Sequence, residues 1–409
     1  MNPSEKLHPL AEKPFPLICV LRNERDILPA FLSHYRGLGV NLFHFVDTGS
    51  TDGSIQYLKD QKDTQVYLKK GGYAQANAGI DWVNEIGCTS CTGTWTLVVD
   101  ADEFLQLPKS EEKSPLAQVS AAMRRELAFG LYAPLIDFFA DDLTGHLHTQ
   151  KNLQGLLQGS PNYVPFANCN FSSMERFPFV DLRSNARARI SGTTNYRVRS
   201  YKIPLVFWRP GFQYVHSTHV CTPIPLSDVS YPIYHFKYRP GFEQRLAKDM
   251  QSPDRLNADV YRISRSIIRH QDRIASNTVR IKDGHELEGS DWVTKDGFRK
   301  EWLELNKSKS NYFDVLSEQK SISESELTAK LQDLTETSSW RCTRPIRSFL
   351  YRKGVLRHDH FPERFKQTNV HLDQVVAVYE SFWWLLTGVL RIPKALRKSL
   401  LWHKLRRRS

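Results

Sequence analysis

The residues with the clearest chemical promise lie in Leu97-Val98-Val99-Asp100-Ala101-Asp102-Glu103-Phe104, where an apolar run ends in two aspartates one residue apart. Both carboxylates can reach forward from the edge of a sheet, and two anions so close together call for a cation. Oxygen ligands suit Mg²⁺ or Mn²⁺, ions that also bridge the two phosphates of a nucleotide. A metal there would neutralise charge on a departing diphosphate. An Asp-x-Asp alone also fits a solvated turn at a strand end. Three further polar sets are conspicuous: Arg22-Asn23-Glu24, the turn cluster Asp47-Thr48-Gly49-Ser50-Thr51-Asp52-Gly53, and the histidine pairs 146/148 and 358/360. The histidine pairs have metal-like spacing but no acidic cluster tied to them, and read as surface residues.

Stepping outward, apolar runs at 15–21, 41–46, 65–68 and 95–99 read as strands. Between them, apolar positions 27, 28, 31, 32, 35 and 38 have helical spacing, and helices are also expected at 54–61 and 75–86. Strand and helix alternating in this way build a parallel sheet covered on both faces, with ligands beyond the carboxyl ends of the strands. Arg22-Asn23-Glu24, Asp47 to Asp52 and Asp100 to Glu103 fall at those ends. From 129 to 237 mixed strands are expected, chiefly Gly130–Phe139, 196–208 and 231–237, and beyond Pro240 helices begin with 241–280. The stretch 305–340, rich in Ser, Lys and Glu, reads as an exposed helix or linker. The domain expectation is an α/β unit over 12–240 followed by a helical region over 241–409.

The run from Pro16 to Pro108 resembles the family 2 type of inverting glycosyltransferases with the GT-A fold, and most of all a bacterial subgroup whose aspartate motif reads Asp-x-Asp-Glu-Phe. The pieces carrying the resemblance are Val20-Leu-Arg-Asn-Glu24, Val46-Asp47-Thr-Gly-Ser50-Thr-Asp52-Gly53, Gln75-x-Asn77-x-Gly79 and Asp100-Ala-Asp102-Glu103-Phe104. What the resemblance implies is an α/β GT-A fold, a Rossmann-like mixed sheet of nucleotide-diphospho-sugar transferases, with a helical C-terminal extension. It further implies a metal-dependent transfer of sugar from a nucleotide donor, a UDP-sugar foremost, to an acceptor hydroxyl. Glu24 and Asp47 would hold the nucleoside, with Asp52 nearby, and a carboxylate there can accept from ribose hydroxyls or a uracil N–H. Asp52 fits a helix-capping role as well. Asn77 is either a donor contact or a structural amide. A later, weaker match covers 201–210, His216-x-x-His219 and His235-Phe-Lys237-Tyr238. It makes His219 or His235 candidates to complete a metal shell begun by Asp100 and Asp102, with Lys202, Arg209 and Lys237 either touching donor phosphates or lining a solvated face.

Inversion needs a carboxylate to take the acceptor's proton. Glu103, Asp137, Glu175 and Asp181 are the candidates, and the second acidic pair of many family 2 enzymes is not evident. Six basic residues at 183, 187, 189, 197, 199 and 202 form either a groove for a phosphorylated acceptor or a loop facing water.

The 409-residue chain carries a net charge of +12, which suggests a polyanionic partner. Nucleic acid is not expected, because no binding module is recognisable and the basic stretch holds few aromatics. A catalytically inactive binding subunit of the same fold is the main alternative. The N-terminus has no secretory-signal pattern, and six irregularly spaced cysteines, including Cys88-x-x-Cys91, read as free thiols. Both point to the cytoplasm. Residues 375–409 alternate Leu and Trp with Lys and Arg, as in a helix lying on an anionic membrane or one docked on the domain. Membrane contact would suit a lipid-linked acceptor. The family subgroup implies a role in surface polysaccharide or lipid-linked glycan assembly.

Overall fold

Four short strands set the frame: β1 (Pro16–Leu21), β2 (Leu42–Asp47), β3 (Thr64–Leu68) and β4 (Trp95–Val98). Three are buried along nearly their whole length and covered on both faces, and β3 is a partly exposed edge. The computed structural model describes residues 14–304 apart from 70–71, 74, 109–113, 127, 147, 174–179, 194–197, 223, 252–257, 282–286 and 288. β1 pairs in parallel with β2 (Leu21 opposite Asp47) and with β4 (Ile18 opposite Val98), and β2 with β3. The order β3-β2-β1-β4 brings the ends of β1, β2 and β4 to one edge. Helix α1 (Leu28–Leu38) covers one face through Phe31 and Tyr35, and α2 (Ser54–Lys59) joins it through Leu58. The other face lies under α3 (Ile80–Ser90), where Ile80, Val83 and Ile86 meet Ile18 and Val98.

The sheet then turns mixed. Strand 201–207 runs antiparallel to β4, Leu205 opposite Leu97, and β6 (Gly130–Phe139) runs antiparallel to that strand in turn. β5 (Glu103–Leu105) leaves the aspartate turn and pairs with strand 233–238, which also lies parallel to β6. His235 is therefore opposite Glu103 on one side and Asp137 on the other. The α/β Rossmann-like mixed sheet expected from the sequence is what the chain builds.

Three boundaries differ from the expectation. Helix α3 begins at Ile80 rather than 75, because Asn77, Ala78 and Gly79 have φ of 50°, 56° and 86° and cannot continue a right-handed helix. At Gly79 only glycine fits, since a Cβ would lie 3.1 Å from Val20. The strand expected over 196–208 is broken at Ser200, whose N–H donates to Leu182 O, 2.8 Å. It then carries a bulge between Lys202 and Leu205, where Pro204 lacks an N–H for the ladder. The helical stretch 241–280 consists, in the described residues, of Phe242–Met250, Ala258–Arg269 and Ile274–Asn277.

The chain beyond 240 returns to the sheet. Val279–Arg280 pairs with Asn162–Tyr163, and the buried Trp292 and Trp302 join the larger core. The helix α4 (Pro115–Arg125) starts at a Ser114 cap that accepts from Ala117 N–H, 3.3 Å. Among the described residues no helix is long and apolar enough to cross a membrane, and five cysteines carry free thiols. Glu175, Arg197, the histidines at 358 and 360, and the segments 305–340 and 375–409 lie outside the described residues.

Candidate functional site

The loops after β1 and β2 are stitched together by short hydrogen bonds to backbone N–H groups. Asn23, at φ 57°, donates its N–H to Ser50 Oγ (2.8 Å) and accepts from Thr51 N–H (2.8 Å). Asp52 accepts from Arg25 N–H (2.9 Å) and, through its other oxygen, from Ser54 N–H (3.0 Å) and Ser54 Oγ (2.6 Å). Both Asp52 oxygens are thus engaged in holding the two loops. Asp47 is only 1% exposed, and its Oδ1 accepts from Gly49 N–H (2.9 Å) and Ser50 N–H (2.8 Å). Its Oδ2 is buried with no partner. A buried acceptor left unmatched costs free energy unless something supplies a donor.

Glu24 points across to the other side of the cleft. Arg239, fully buried just after strand 233–238, donates Nη2 to Glu24 Oε2 (2.6 Å) and Nε to Asp26 Oδ2 (2.8 Å). Burial pushes the Glu24 carboxyl up to about 7, more than Arg239 pulls it down. Asn77 donates Nδ2 to Asp81 Oδ1 (2.7 Å) at the start of α3.

Two adjacent carboxylates of the aspartate turn diverge. Asp100 Oδ2 accepts from Lys202 Nζ (2.7 Å), whereas Asp102 Oδ2 faces His235 Nε2 at 3.5 Å. The second nitrogen of His235 is tied down, with Nδ1 2.6 Å from Asp137 Oδ1. Asp137 in turn accepts from Arg187 Nε (2.7 Å) and Nη2 (2.8 Å), a two-pronged pair inside the protein. Burial opposes charge on this imidazole, but Asp102 and Asp137 outweigh it and raise its pKa to about 9. The same imidazole and Arg187 hold the carboxyls of Asp102 and Asp137 well below the usual range despite burial.

His219 is set apart from that pair. Its Nδ1–H donates to the Tyr201 carbonyl, and burial together with the nearby Lys202 charge lowers its pKa to about 3, so it is a neutral imidazole. It lines a cavity of about 150 Å³ with Asp100, Lys202, Tyr73, Ala78 and Val20.

Of the candidate metal ligands, the structure brings together only one carboxylate and one imidazole. Asp102 and His235 converge, Asp100 is taken by Lys202, and His219 stands on the cavity wall. No group of three or more His, Cys, Asp or Glu able to hold an ion is present among the described residues. Among the described residues, the acids considered for proton transfer are each occupied; Glu175 lies outside them. Glu103, 1% exposed, bonds Lys202 Nζ (2.7 Å) and Asp100 N–H (2.9 Å). Asp137 holds Arg187 and His235, and Asp181 pairs with Arg183 (2.6 Å) on a separate three-stranded sheet.

The described residues of the basic stretch are tied to partners within the protein; Arg197 lies outside them. Arg183 and Arg199 flank Asp181, Arg187 holds Asp137, Arg189 bonds Asn168 (2.6 Å) and Lys202 is buried against the aspartate turn. Arg209 stacks over Phe129, 3.3 Å from the ring centre. Sequence reasoning passed over Arg239 and Asp26 altogether. The one available signal was the recurrence of basic residues at His235, Lys237 and Arg239, at and just past the end of a strand.

No family model matches the chain, and no curated protein does. Two of the solved structures it is similar to are a 4-diphosphocytidyl-2C-methyl-D-erythritol synthase and residues 1–349 of TarS from S. aureus. The first is 18% identical at TM-score 0.21, covering 31% of this chain and 63% of that one, so the chain spans under two thirds of it. The second is 11% identical at TM-score 0.28, covering 92% of this chain and 90% of that one. At those TM-scores the likeness carries no information about chemistry.

Proposed function

We propose that the chain is a glycosyltransferase that binds a nucleotide-sugar donor, a UDP-sugar foremost, together with Mn²⁺ or Mg²⁺ at Asp102 and His235. The observation that carries this reading is the arrangement of His235. Its Nδ1 is committed to Asp137, itself clamped by Arg187, so Nε2 is directed at Asp102 across a 3.5 Å gap. A histidine oriented through its far nitrogen by a carboxylate is the usual support for a metal-binding imidazole. One oxygen ligand and, once the cation displaces the Nε2 proton, one nitrogen ligand fit a cation that completes its shell with water and substrate phosphates. When bound, the ion would supply positive charge to the leaving diphosphate.

The chain's own residues do the rest. Asp47 Oδ2, buried and unpaired, offers an acceptor to the donor's nucleoside, to a uracil N–H or a ribose hydroxyl. The stitched loops after β1 and β2 fix that acceptor before the donor arrives, so little ordering remains to be done on binding. Inverting stereochemistry, a glycan or lipid-linked acceptor, and work at the inner face of a membrane rest on the family resemblance and on segment 375–409.

The test is calorimetry of the purified protein with UDP-, GDP-, dTDP- and CMP-sugars, with Mn²⁺ or with chelator, repeated on Asp102→Ala. Metal-dependent binding of one donor, weakened at least about tenfold in the variant, is the expected result. A protein that binds none of these donors under either condition is not a transferase of this kind, and an inactive binding subunit becomes the better reading.

A further inference from the structure

Lys202 is an unusual companion for an aspartate motif. Its ammonium is 2.7 Å from Asp100 Oδ2 and 2.7 Å from Glu103 Oε1, and Glu103 Oε2 accepts from Asp100 N–H at 2.9 Å, closing a small ring. The lysine is 2% exposed while Asp100 is 53% exposed, so the cation lies beneath and the carboxylate above it. The bulge between Lys202 and Leu205 is what aims it. Tyr201 and Leu205 face one core cluster while Ile203 and Val206 face the other, a break in strict alternation. Asp100 and Lys202 line the 150 Å³ cavity, and neither Asp102 nor His235 does.

Resting on the nucleotide-sugar reading above, we infer that Lys202 is a positioning residue that withholds Asp100 from the cation and presents it to the hydroxyl-bearing part of the donor. Moving Asp100 onto a metal would leave the buried ammonium with Glu103 alone, close to a second cation. Both the lost partner and the like-charge repulsion oppose that move. Held as it is, Asp100 keeps its outer oxygen as an acceptor for donor hydroxyls lodged at the cavity mouth. Cation affinity then depends on Asp102 and His235, and donor affinity on the Lys202–Asp100 pair.

The two affinities can be read separately. Mn²⁺ binding is followed by loss of the free-ion EPR signal at saturating UDP, and UDP binding by calorimetry at saturating Mn²⁺, for wild type, Asp100→Asn, Asp102→Asn and Lys202→Met. The expected result is that Asp102→Asn weakens Mn²⁺ about tenfold or more, whereas Asp100→Asn changes it less than about threefold yet weakens UDP about tenfold. Lys202→Met frees Asp100 for the ion, so Mn²⁺ binds more tightly while UDP binds more weakly. If Asp100→Asn loses Mn²⁺ as severely as Asp102→Asn, the inference is overturned, and this comparison decides the matter even if Lys202→Met does not fold. A wild-type protein that binds neither Mn²⁺ nor UDP overturns the transferase reading and the inference with it.

Discussion

The two sides of the cleft are built by different means. On the β1–β2 side, Asn23, Ser50, Thr51, Asp52 and Ser54 join neighbouring loops through short bonds to backbone N–H groups. On the side formed by β5, β6 and strand 233–238, buried ion pairs do the joining: Arg187 with Asp137, His235 with Asp137 and Asp102, Arg239 with Asp26 and Glu24. A single bond to a backbone N–H in these partly exposed loops, once lost, can be replaced by water. A buried ion pair cannot, because deleting one partner leaves a charge with nothing to balance it. The first side should therefore bend under substitution, and the second should break.

The sharpest way to break the comparison is Arg187→Met. It leaves buried Asp137 with His235 as its one remaining charged partner in place of two and should lower stability by about 3 kcal/mol, read from the urea midpoint; a loss under about 1 kcal/mol would show the two sides to be alike. Next comes Asp47→Asn, which removes the unpaired acceptor but leaves the turn. Donor affinity should fall about tenfold or more, as for a lost bond to a charged group, with little change in stability. Ser50→Ala removes a single stitch and should cost only about 0.5–1.5 kcal/mol, again by urea.

The smallest effect concerns the seam between the sides, where His34 on α1 donates Nε2–H to Leu105 O of β5, 2.8 Å. Burial lowers the His34 pKa to about 4, the carbonyl bond only partly offsetting it. The unfolded histidine titrates near 6.5, so its contribution is full above that pH and is lost as pH falls towards 4. Between about pH 7 and pH 5 the wild type should lose on the order of 1 kcal/mol more than His34→Gln. Parallel pH dependence in the two proteins would remove His34 from the account.

The same contrast governs what could be read from the sequence. Asp47, Asp52 and Glu24 lie in local clusters at strand ends, and the alternation of apolar strands with helical spacing was enough to bring those ends to one edge. The helix start at Ile80 was missed because three successive left-handed residues have no apolar signature, and only Gly79 hints at them. The charged side was far less legible. Arg239 meets Asp26 across 213 residues and Lys202 meets Asp100 across 102, and no spacing rule pairs residues so distant. Asp137 looked like a free carboxylate in a strand, since nothing local announces that Arg187 will close on it. Lys202 read as a contact to donor phosphates or as part of a solvated face, and not as a buried partner of Asp100, because the bulge that turns it inward depends on its partner strand.

The central claim is that the ion-paired side of the cleft ends in a cation site made by Asp102 and His235. Anomalous diffraction from crystals grown with Mn²⁺ and UDP tests it most directly. The account predicts a single manganese peak bonded to an Asp102 oxygen and to His235 Nε2, with Asp100 still on Lys202. A peak bonded to Asp100 instead, or UDP bound in the cleft without any manganese beside Asp102, would contradict it.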